Sequence, residues 1–201
     1  MAGAARRIGA ESSATRALIL EAADKLIREE GYGSVSTRRV AARAGLKPSL
    51  VHYYFPTTDD LLVAMSRRGA EESDRKIEEA LQSDDPIRGL WAFLTDSSRI
   101  AMALEFMALA NHRQAVRAHM AEHCEVMRQR EVEAFTYLLG DRLKGPDGCP
   151  PEVLSVVLAG IGRALVMEGG LGVTAGHDQA RVFVEEWLDR LAPVKDKKAA
   201  Q

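Results

Sequence analysis

The sequence predicts an all-α protein of nine to ten helices, in which an N-terminal helix-turn-helix lobe precedes a larger helical lobe. Apolar residues recur at intervals of three and four along most of the chain, which is typical of amphipathic helices. No segment shows the sustained alternation of apolar and polar residues that is typical of a half-buried strand. Glycines, prolines and capping residues separate the apolar stretches at distances that suit helices.

The first three predicted helices are short and closely spaced. The first places an apolar face over residues 18–27 and stops at Gly31, a residue favoured just after a helix. Ser36 is a good N-cap for the second helix, which ends at a turn on Gly45. Pro48 suits the first position of the third helix, because a residue there needs no backbone N–H.

The rest of the chain contains longer helical segments. They are predicted over about residues 58–82, 86–108, 113–143, 151–168 and 180–191. We therefore expect a domain over 1–60, ordered from about residue 12, a second domain over 61–195, and a disordered tail over 196–201.

Composition narrows the class of protein. Of the 201 residues, 46% are hydrophobic and 28% are charged, as in soluble globular proteins. The two cysteines, Cys124 and Cys149, have no spacing that indicates a disulfide framework, which favours a reducing, cytoplasmic location. No apolar run follows the N-terminal arginines, so we expect no signal peptide. The longest apolar run, 153–162, ends at Arg163, and we expect no membrane span.

Charge is unevenly distributed along the chain. Residues 1–58 contain nine Lys or Arg against five Asp or Glu, a net charge of +4, whereas residues 59–201 contain eighteen against twenty-four, a net charge of −6. A small basic module attached to a larger acidic body is typical of a DNA-binding domain joined to a domain with another task.

The region 36–55 carries the strongest functional signal. Its apolar residues predict an inner face made of Val40, Ala41, Ala44, Leu46, Val51 and Phe55. The outward residues are Thr37, Arg38, Lys47, Ser49, Leu50, His52, Tyr53 and Tyr54. These side chains suit phosphates and base edges, and the second helix of such a unit lies in the major groove of DNA. The alternative is a helical hairpin with no role in nucleic-acid binding.

Residues 15–68 resemble the DNA-binding domain of the TetR family in the order and spacing of their motifs. The first helix ends in Gly-Tyr, a Ser-Thr-Arg segment opens the second, Ala-Gly forms the turn, two aromatics and a Phe close the third helix, and an Asp-Leu-Leu helix follows. The resemblance implies DNA contacts from Ser36, Thr37, Arg38, Lys47, Pro48, Ser49, Leu50, His52, Tyr53, Tyr54 and Thr58. Within this set it implies a base contact for Arg38 and backbone contacts for His52 and Tyr54.

Two positions depart from the family pattern. His52 stands where the family usually has Tyr, and it can still donate a hydrogen bond to phosphate. Thr58 stands where the family often has a Lys that binds the DNA backbone, and a neutral hydroxyl would bind phosphate more weakly.

The same resemblance implies a ligand pocket and a homodimer in the C-terminal part. We expect the pocket lining to come from Trp91, Leu94, Met102, Phe106, Met107, Met120, Met127 and Met167, because methionines and aromatics suit an adaptable apolar cavity. Its polar anchors are expected among Arg99, Glu105, Asn111, His112 and Arg163. The dimer interface is expected to be a four-helix bundle that contains Val157, Ile161, Leu165, Phe183, Val184, Trp187 and Leu188. Burial of these last helices within one subunit is the alternative.

Residues 119–123 spell H-x-x-E-H, a pattern also found in zinc proteases. It offers an alternative function, a helical metal-dependent hydrolase, or a zinc-responsive site formed by His112, His119, His123 and Cys124. The pattern has no evident third ligand of a protease, and short patterns arise by chance. We therefore expect no catalytic residue, no metal and no cofactor. The predicted function is a DNA-binding transcription regulator, a repressor of an inverted-repeat operator that is released by an unknown, mainly apolar small molecule. A regulator without a ligand, or an activator, is the second interpretation.

Overall fold

The structure, a computed structural model, describes residues 13–192. These residues form nine α-helices and two short 3-10 helices, without a strand, and the predicted all-α class is confirmed. The α-helices are α1 Ala14–Glu30, α2 Thr37–Ala44, α3 Pro48–Tyr54, α4 Thr58–Leu81, α5 Pro86–Leu94, α6 Ser97–Ala110, α7 Gln114–Leu139, α8 Pro151–Gly170 and α9 His177–Leu191. The predicted order from residue 12 and the predicted tail over 196–201 concern parts of the chain that lie outside the described residues.

The single helix predicted over 86–108 is wrong, because the chain breaks between α5 and α6. The Thr95 hydroxyl donates to the Trp91 carbonyl at 2.9 Å, and the Asp96 carboxylate accepts from the Arg99 backbone N–H at 2.9 Å. Asp96 therefore caps a new helix instead of continuing the old one. The sequence carries this signal, since Thr-Asp-Ser-Ser is rich in residues that prefer caps.

The α7 helix ends at Leu139, before the predicted end at Leu143. Gly140 follows with φ +52°, a left-handed conformation that favours glycine, and a 3-10 helix, Gly140–Lys144, completes the segment.

The chain divides into two compact units. The first comprises the chain up to Ala70 together with Met102–Ala121. The buried side chains of α1, α2, α3 and the start of α4 share one hydrophobic core with Phe106, Leu109 and Val116, which come from α6 and α7. The sequence-based domain boundary near residue 60 stays a prediction.

The second unit comprises Glu71–Ala101 and the chain from Glu122 onward. Its core is formed by α5, α7, α8 and α9 and contains the fully buried Leu90, Phe135 and Leu188. α8 packs closely on the end of α5, since a Cβ added to Gly162 would lie 2.0 Å from the Leu94 carbonyl oxygen.

Among the described residues, α8 is the one helix whose length and apolar composition would allow it to cross a membrane. One such helix is weak evidence for a membrane span, because the core helix of a soluble protein meets the same criterion, and the expectation of no membrane span is not overturned. Here α8 buries Leu154, Leu158 and Leu165 in the core of the second unit, as the core helix of a helical protein does.

Candidate nucleic-acid interface

The α2 helix is defined by a cap at each end. The Ser36 hydroxyl accepts a hydrogen bond from the Arg39 backbone N–H at 3.3 Å, which satisfies one of the N–H groups left free at a helix start. Gly45, with φ +67°, ends the helix in the left-handed conformation. The predicted N-cap and the predicted glycine turn are thus both present.

The turn leads directly into α3. The Leu46 backbone N–H donates to the Ala41 carbonyl at 2.9 Å, and Pro48 occupies the first turn of α3. Val40, Ala41, Val51 and Phe55 are buried and Ala44 and Leu46 pack against them, so the predicted inner face is present in full. Burial of one side of both helices leaves the other side outward.

The outward face carries the residues that the sequence indicates for DNA contact. Arg38, Lys47, Pro48, Ser49, His52 and Tyr53 are exposed, and Ser36, Thr37, Leu50, Tyr54 and Thr58 are half-buried. The Thr37 hydroxyl lies 3.3 Å from Nε2 of His52, so a polar contact joins the start of α2 to α3. Tyr53 and Tyr54 meet edge to face, with ring centroids 5.2 Å apart. Side-chain hydroxyls, an imidazole and cations thus share one surface.

Two of the basic residues on α2 are neutralised within the unit. Arg39 pairs with Glu30 at 2.5 Å, and Arg43 pairs with Glu29 at 2.5 Å. These pairs join α2 to the end of α1, a tertiary contact that sequence reasoning did not identify. By contrast, Arg38 has no ion-pair partner within residues 13–192, and neither does Lys47.

The start of α4 is held by reciprocal hydrogen bonds. The Thr57 backbone N–H donates to the Asp60 carboxylate at 2.9 Å, and the Asp60 backbone N–H donates to the Thr57 hydroxyl at 3.1 Å. Thr57, not Thr58, is therefore the cap, which leaves the Thr58 side chain available. Asp59 pairs with Arg113 at 2.6 Å.

Further polar contacts connect the central helices to the first unit's N-terminal part. The Tyr32 backbone N–H donates to the Glu105 carboxylate at 3.3 Å, and the Ser66 hydroxyl lies 3.0 Å from Nδ1 of His119. Glu105, predicted as a pocket anchor, thus contacts the segment between α1 and α2.

The eight predicted pocket residues do not belong to one cluster. Met102, Phe106 and Met120 belong to the core of the first unit or pack against it. Trp91, Leu94 and Met127 belong to the core of the second unit. Met107 and Met167 are exposed. The pocket itself stays a prediction.

The seven predicted interface residues also divide, this time between core and surface. Val184, Leu188 and Leu165 are buried in the second unit's own core, and Ile161 and Trp187 pack against it. Phe183 and Val157 are exposed apolar side chains, with 58% and 37% of their surface accessible. Val153 and Val156 of α8 are also exposed, so the apolar surface of this helix is wider than predicted.

The H-x-x-E-H segment lies within α7, where His119 contacts Ser66. Within residues 13–192, no group of three or more His, Cys, Asp or Glu side chains is arranged to hold a metal ion. The hydrolase alternative therefore gains no support from this segment.

Comparison with known proteins identifies the same region. Residues 19–65 match the profile of the family described as bacterial regulatory proteins, tetR family. The chain is 27% identical over 140 residues to the HTH-type transcriptional regulator BetI of Rhizobium meliloti (strain 1021), a match that covers 69% of this chain and 64% of that protein. The match thus spans less than two thirds of the relative's length.

Solved structures share the fold over most of the chain. A TetR transcription regulator from Haloarcula marismortui ATCC 43049 superposes with a TM-score of 0.72 and 22% identity, covering 88% of this chain and 97% of that one. A transcriptional regulator from Saccharomonospora viridis, solved in complex with choline, superposes with a TM-score of 0.70 and 19% identity over 87% of this chain and 95% of that one. At these identities the likeness concerns the fold alone.

Proposed function

We propose that this chain is a sequence-specific transcription regulator of the TetR family, a proposal supported by the match of residues 19–65 to the profile of that family. In this proposal a homodimer binds an inverted-repeat operator in double-stranded DNA and represses transcription until a small, mainly apolar molecule releases it. Since such a regulator acts on the chromosome, we assign it to the cytoplasm. The family consists of transcription regulators, and we assign the chain no catalytic role.

The outward face of α2 and α3 is the observation that carries the proposal. Arg38 and Lys47 are exposed and have no ion-pair partner among the described residues, whereas their neighbours Arg39 and Arg43 are already paired. Arg38 suits a guanine edge, since its guanidinium can donate two parallel hydrogen bonds. Ser49, His52 and Tyr54 suit phosphate or sugar contacts, which position α3 in the groove.

Dimerisation gains support from the exposed apolar side chains of α8 and α9. Val153, Val156, Val157 and Phe183 are exposed apolar side chains of these two helices, and exposed apolar patches are typical of surfaces that bind another protein. A two-fold pairing of these helices would cover them and would present two reading helices to two half-sites.

Release by a ligand requires that the ligand bind one spacing of the reading helices better than the other. In this proposal α4, α6 and α7, which contribute residues to both units, convey the change. The contacts of Asp59 with Arg113 and of Tyr32 with Glu105 link the central helices to the helix-turn-helix within the first unit.

The test measures affinity on two DNAs, a site selected from a random pool and the unselected pool itself. For the wild type we expect much tighter binding to the selected site. Arg38→Ala should lose about 1–3 kcal/mol of binding free energy on the selected site and little on the unselected pool, because a base contact carries sequence information. Arg43→Ala is the matched control, since Glu29 already neutralises Arg43. A wild type that binds both DNAs equally would overturn the proposal.

A further inference from the structure

A polar row runs between α7 and α8 in the otherwise apolar interior of the second unit. Glu131 of α7 and Ser155 of α8 are both buried. The Ser155 hydroxyl donates to the Glu131 carboxylate, and Arg128 Nη1 donates to the same carboxylate at 3.1 Å and to the Ser155 hydroxyl. Arg128 and Ser155 therefore engage Glu131, which limits its use as a partner for a second arginine.

Arg99 of α6 belongs to the same unit, and three of its five guanidinium N–H donors have no partner among the described residues. Its guanidinium lies over the Phe93 ring, with Cζ 4.0 Å from the ring centroid. Nε and Nη2 donate to the single carbonyl oxygen of Phe93 at 3.2 and 3.0 Å. Both N–H groups of Nη1 and the second of Nη2 have no partner within residues 13–192. This free end of the guanidinium fork has the geometry that binds a carboxylate with two parallel hydrogen bonds.

Asp96 does not occupy the free end of Arg99. Its carboxylate accepts from Lys76 Nζ at 2.6 Å and from the Arg99 backbone N–H at 2.9 Å. The contact with Arg99 is thus a helix cap, and the side-chain charge of Asp96 is directed to Lys76.

Arg163 of α8 supplies a second cation near Arg99. The preceding residue, Gly162, packs directly against the Leu94 carbonyl at the end of α5, and Arg99 binds the carbonyl of Phe93 at the same helix end. Burial lowers the pKa of Arg99, and the like charge of Arg163 adds to this lowering. Arg163 is exposed and has no ion-pair partner among the described residues.

The row carries a surplus of positive charge. Together with the charged groups beside it, the row has four cations and three carboxylates. The cations are Lys76, Arg99, Arg128 and Arg163, and the carboxylates are Asp96, Glu131 and the exposed Glu125. The nearby thiol of Cys124 adds no negative charge at neutral pH, because burial raises its pKa. The like charge of Arg163 disfavours the charged form of Arg99, and an anion bound to both arginines would relieve that repulsion.

We propose that Arg99 and Arg163 bind the carboxylate of a small organic acid, whose apolar part packs against the hydrophobic core of the second unit. This inference rests on the proposed function, since the acid would be the effector that releases DNA. A quaternary ammonium ligand would fit this site poorly, because it would meet surplus positive charge and because a guanidinium already covers the Phe93 ring.

Calorimetric titration of the purified full-length protein tests the inference. The probes are straight-chain carboxylates from acetate to octanoate, the primary amide of each acid, and choline. We expect at least one carboxylate to bind about tenfold more tightly than its amide, which is the effect of one charge-assisted hydrogen bond. Equal binding of acids and amides, binding of choline in preference to every acid, or no binding of any acid would overturn the inference.

Variants of Arg163 localise the site without removing the hydrogen bonds that the Arg99 side chain donates to the Phe93 carbonyl. Arg163→Gln should lower the affinity for the carboxylate about tenfold, and Arg163→Lys should lower this affinity less, because the positive charge remains. Arg181→Gln is the matched control, since Arg181 is also an exposed arginine of this unit without a partner among residues 13–192. Equal effects of the Arg163→Gln and Arg181→Gln variants would refute the role of Arg163.

The inference and the proposed function fail in different ways. Wild-type protein that binds its selected DNA site but no carboxylate would overturn the inference and leave the proposed function standing. Protein that binds a carboxylate but shows no preference among DNA sequences would overturn the proposed function. Calorimetry reads the carboxylate site in either case, because it requires no DNA.

Discussion

Two basic residues of the helix-turn-helix, Lys47 and Arg43, should differ sharply in their effect on the salt dependence of DNA binding. Lys47 is exposed at the start of α3 and has no ion-pair partner among the described residues, whereas Arg43 is paired with Glu29 at 2.5 Å. Each phosphate contact contributes about 0.9 to the slope of log affinity against log salt. Because a dimer presents each residue twice, Lys47→Gln should reduce the slope by roughly 2. Arg43→Gln should leave it nearly unchanged.

The assay is fluorescence anisotropy on the selected site and on random DNA, at several salt concentrations. The slope should fall equally on both DNAs for Lys47→Gln, since a phosphate contact carries no sequence information. Far-ultraviolet circular dichroism checks that both variants keep their helices. Equal changes of slope for the two variants would refute the argument that Glu29 neutralises Arg43. An unchanged slope for Lys47→Gln would show that the start of α3 does not face phosphate.

Three further predictions concern other parts of the chain. Thr58→Lys should steepen the salt slope by up to roughly 2 on both DNAs, because it adds a cation at the start of α4; an unchanged slope would contradict the placement of this residue against the DNA backbone. Phe183→Ser should weaken the dimer in sedimentation, while Tyr137→Ser, which removes the more exposed aromatic at 88%, should not, and equal results would contradict the assignment of α9 to the interface. Gly162→Ala should lower the free energy of unfolding, because the added Cβ would lie 2.0 Å from the Leu94 carbonyl oxygen. Gly69→Ala, whose added Cβ meets nothing within 4 Å, should raise the free energy of unfolding by about 0.5–1 kcal/mol. An unchanged free energy of unfolding for Gly162→Ala would contradict the close packing of α8 on α5.

The helix-turn-helix could be predicted from sequence because its determinants are local. Ser36, Gly45 and Pro48 each act within one turn of chain, and the inner apolar residues follow the helical period. The break at Thr95 and Asp96 was also encoded locally, but the apolar run on either side of it suggested one continuous helix.

Contacts between distant parts of the chain could not be predicted in this way. The pairing of Arg43 with Glu29 depends on the packing of α2 against α1, which no sequence period reveals. Likewise, methionines that look equivalent in sequence belong to different cores, Met120 to the first unit and Met127 to the second. An amphipathic pattern predicts that a side chain is buried, but it does not predict which helix that side chain packs against.

Selection of bound DNA from a random pool by the wild-type protein tests the central claim most directly. If a two-fold dimer reads DNA through α3, the enriched sequences should share an inverted repeat whose half-sites lie about one helical turn, roughly 10 base pairs, apart, or a multiple of that distance. The same selection with Arg38→Ala should lose preference at one base pair in each half-site. A pool that shows no enriched sequence, or a single half-site without symmetry, would contradict the account.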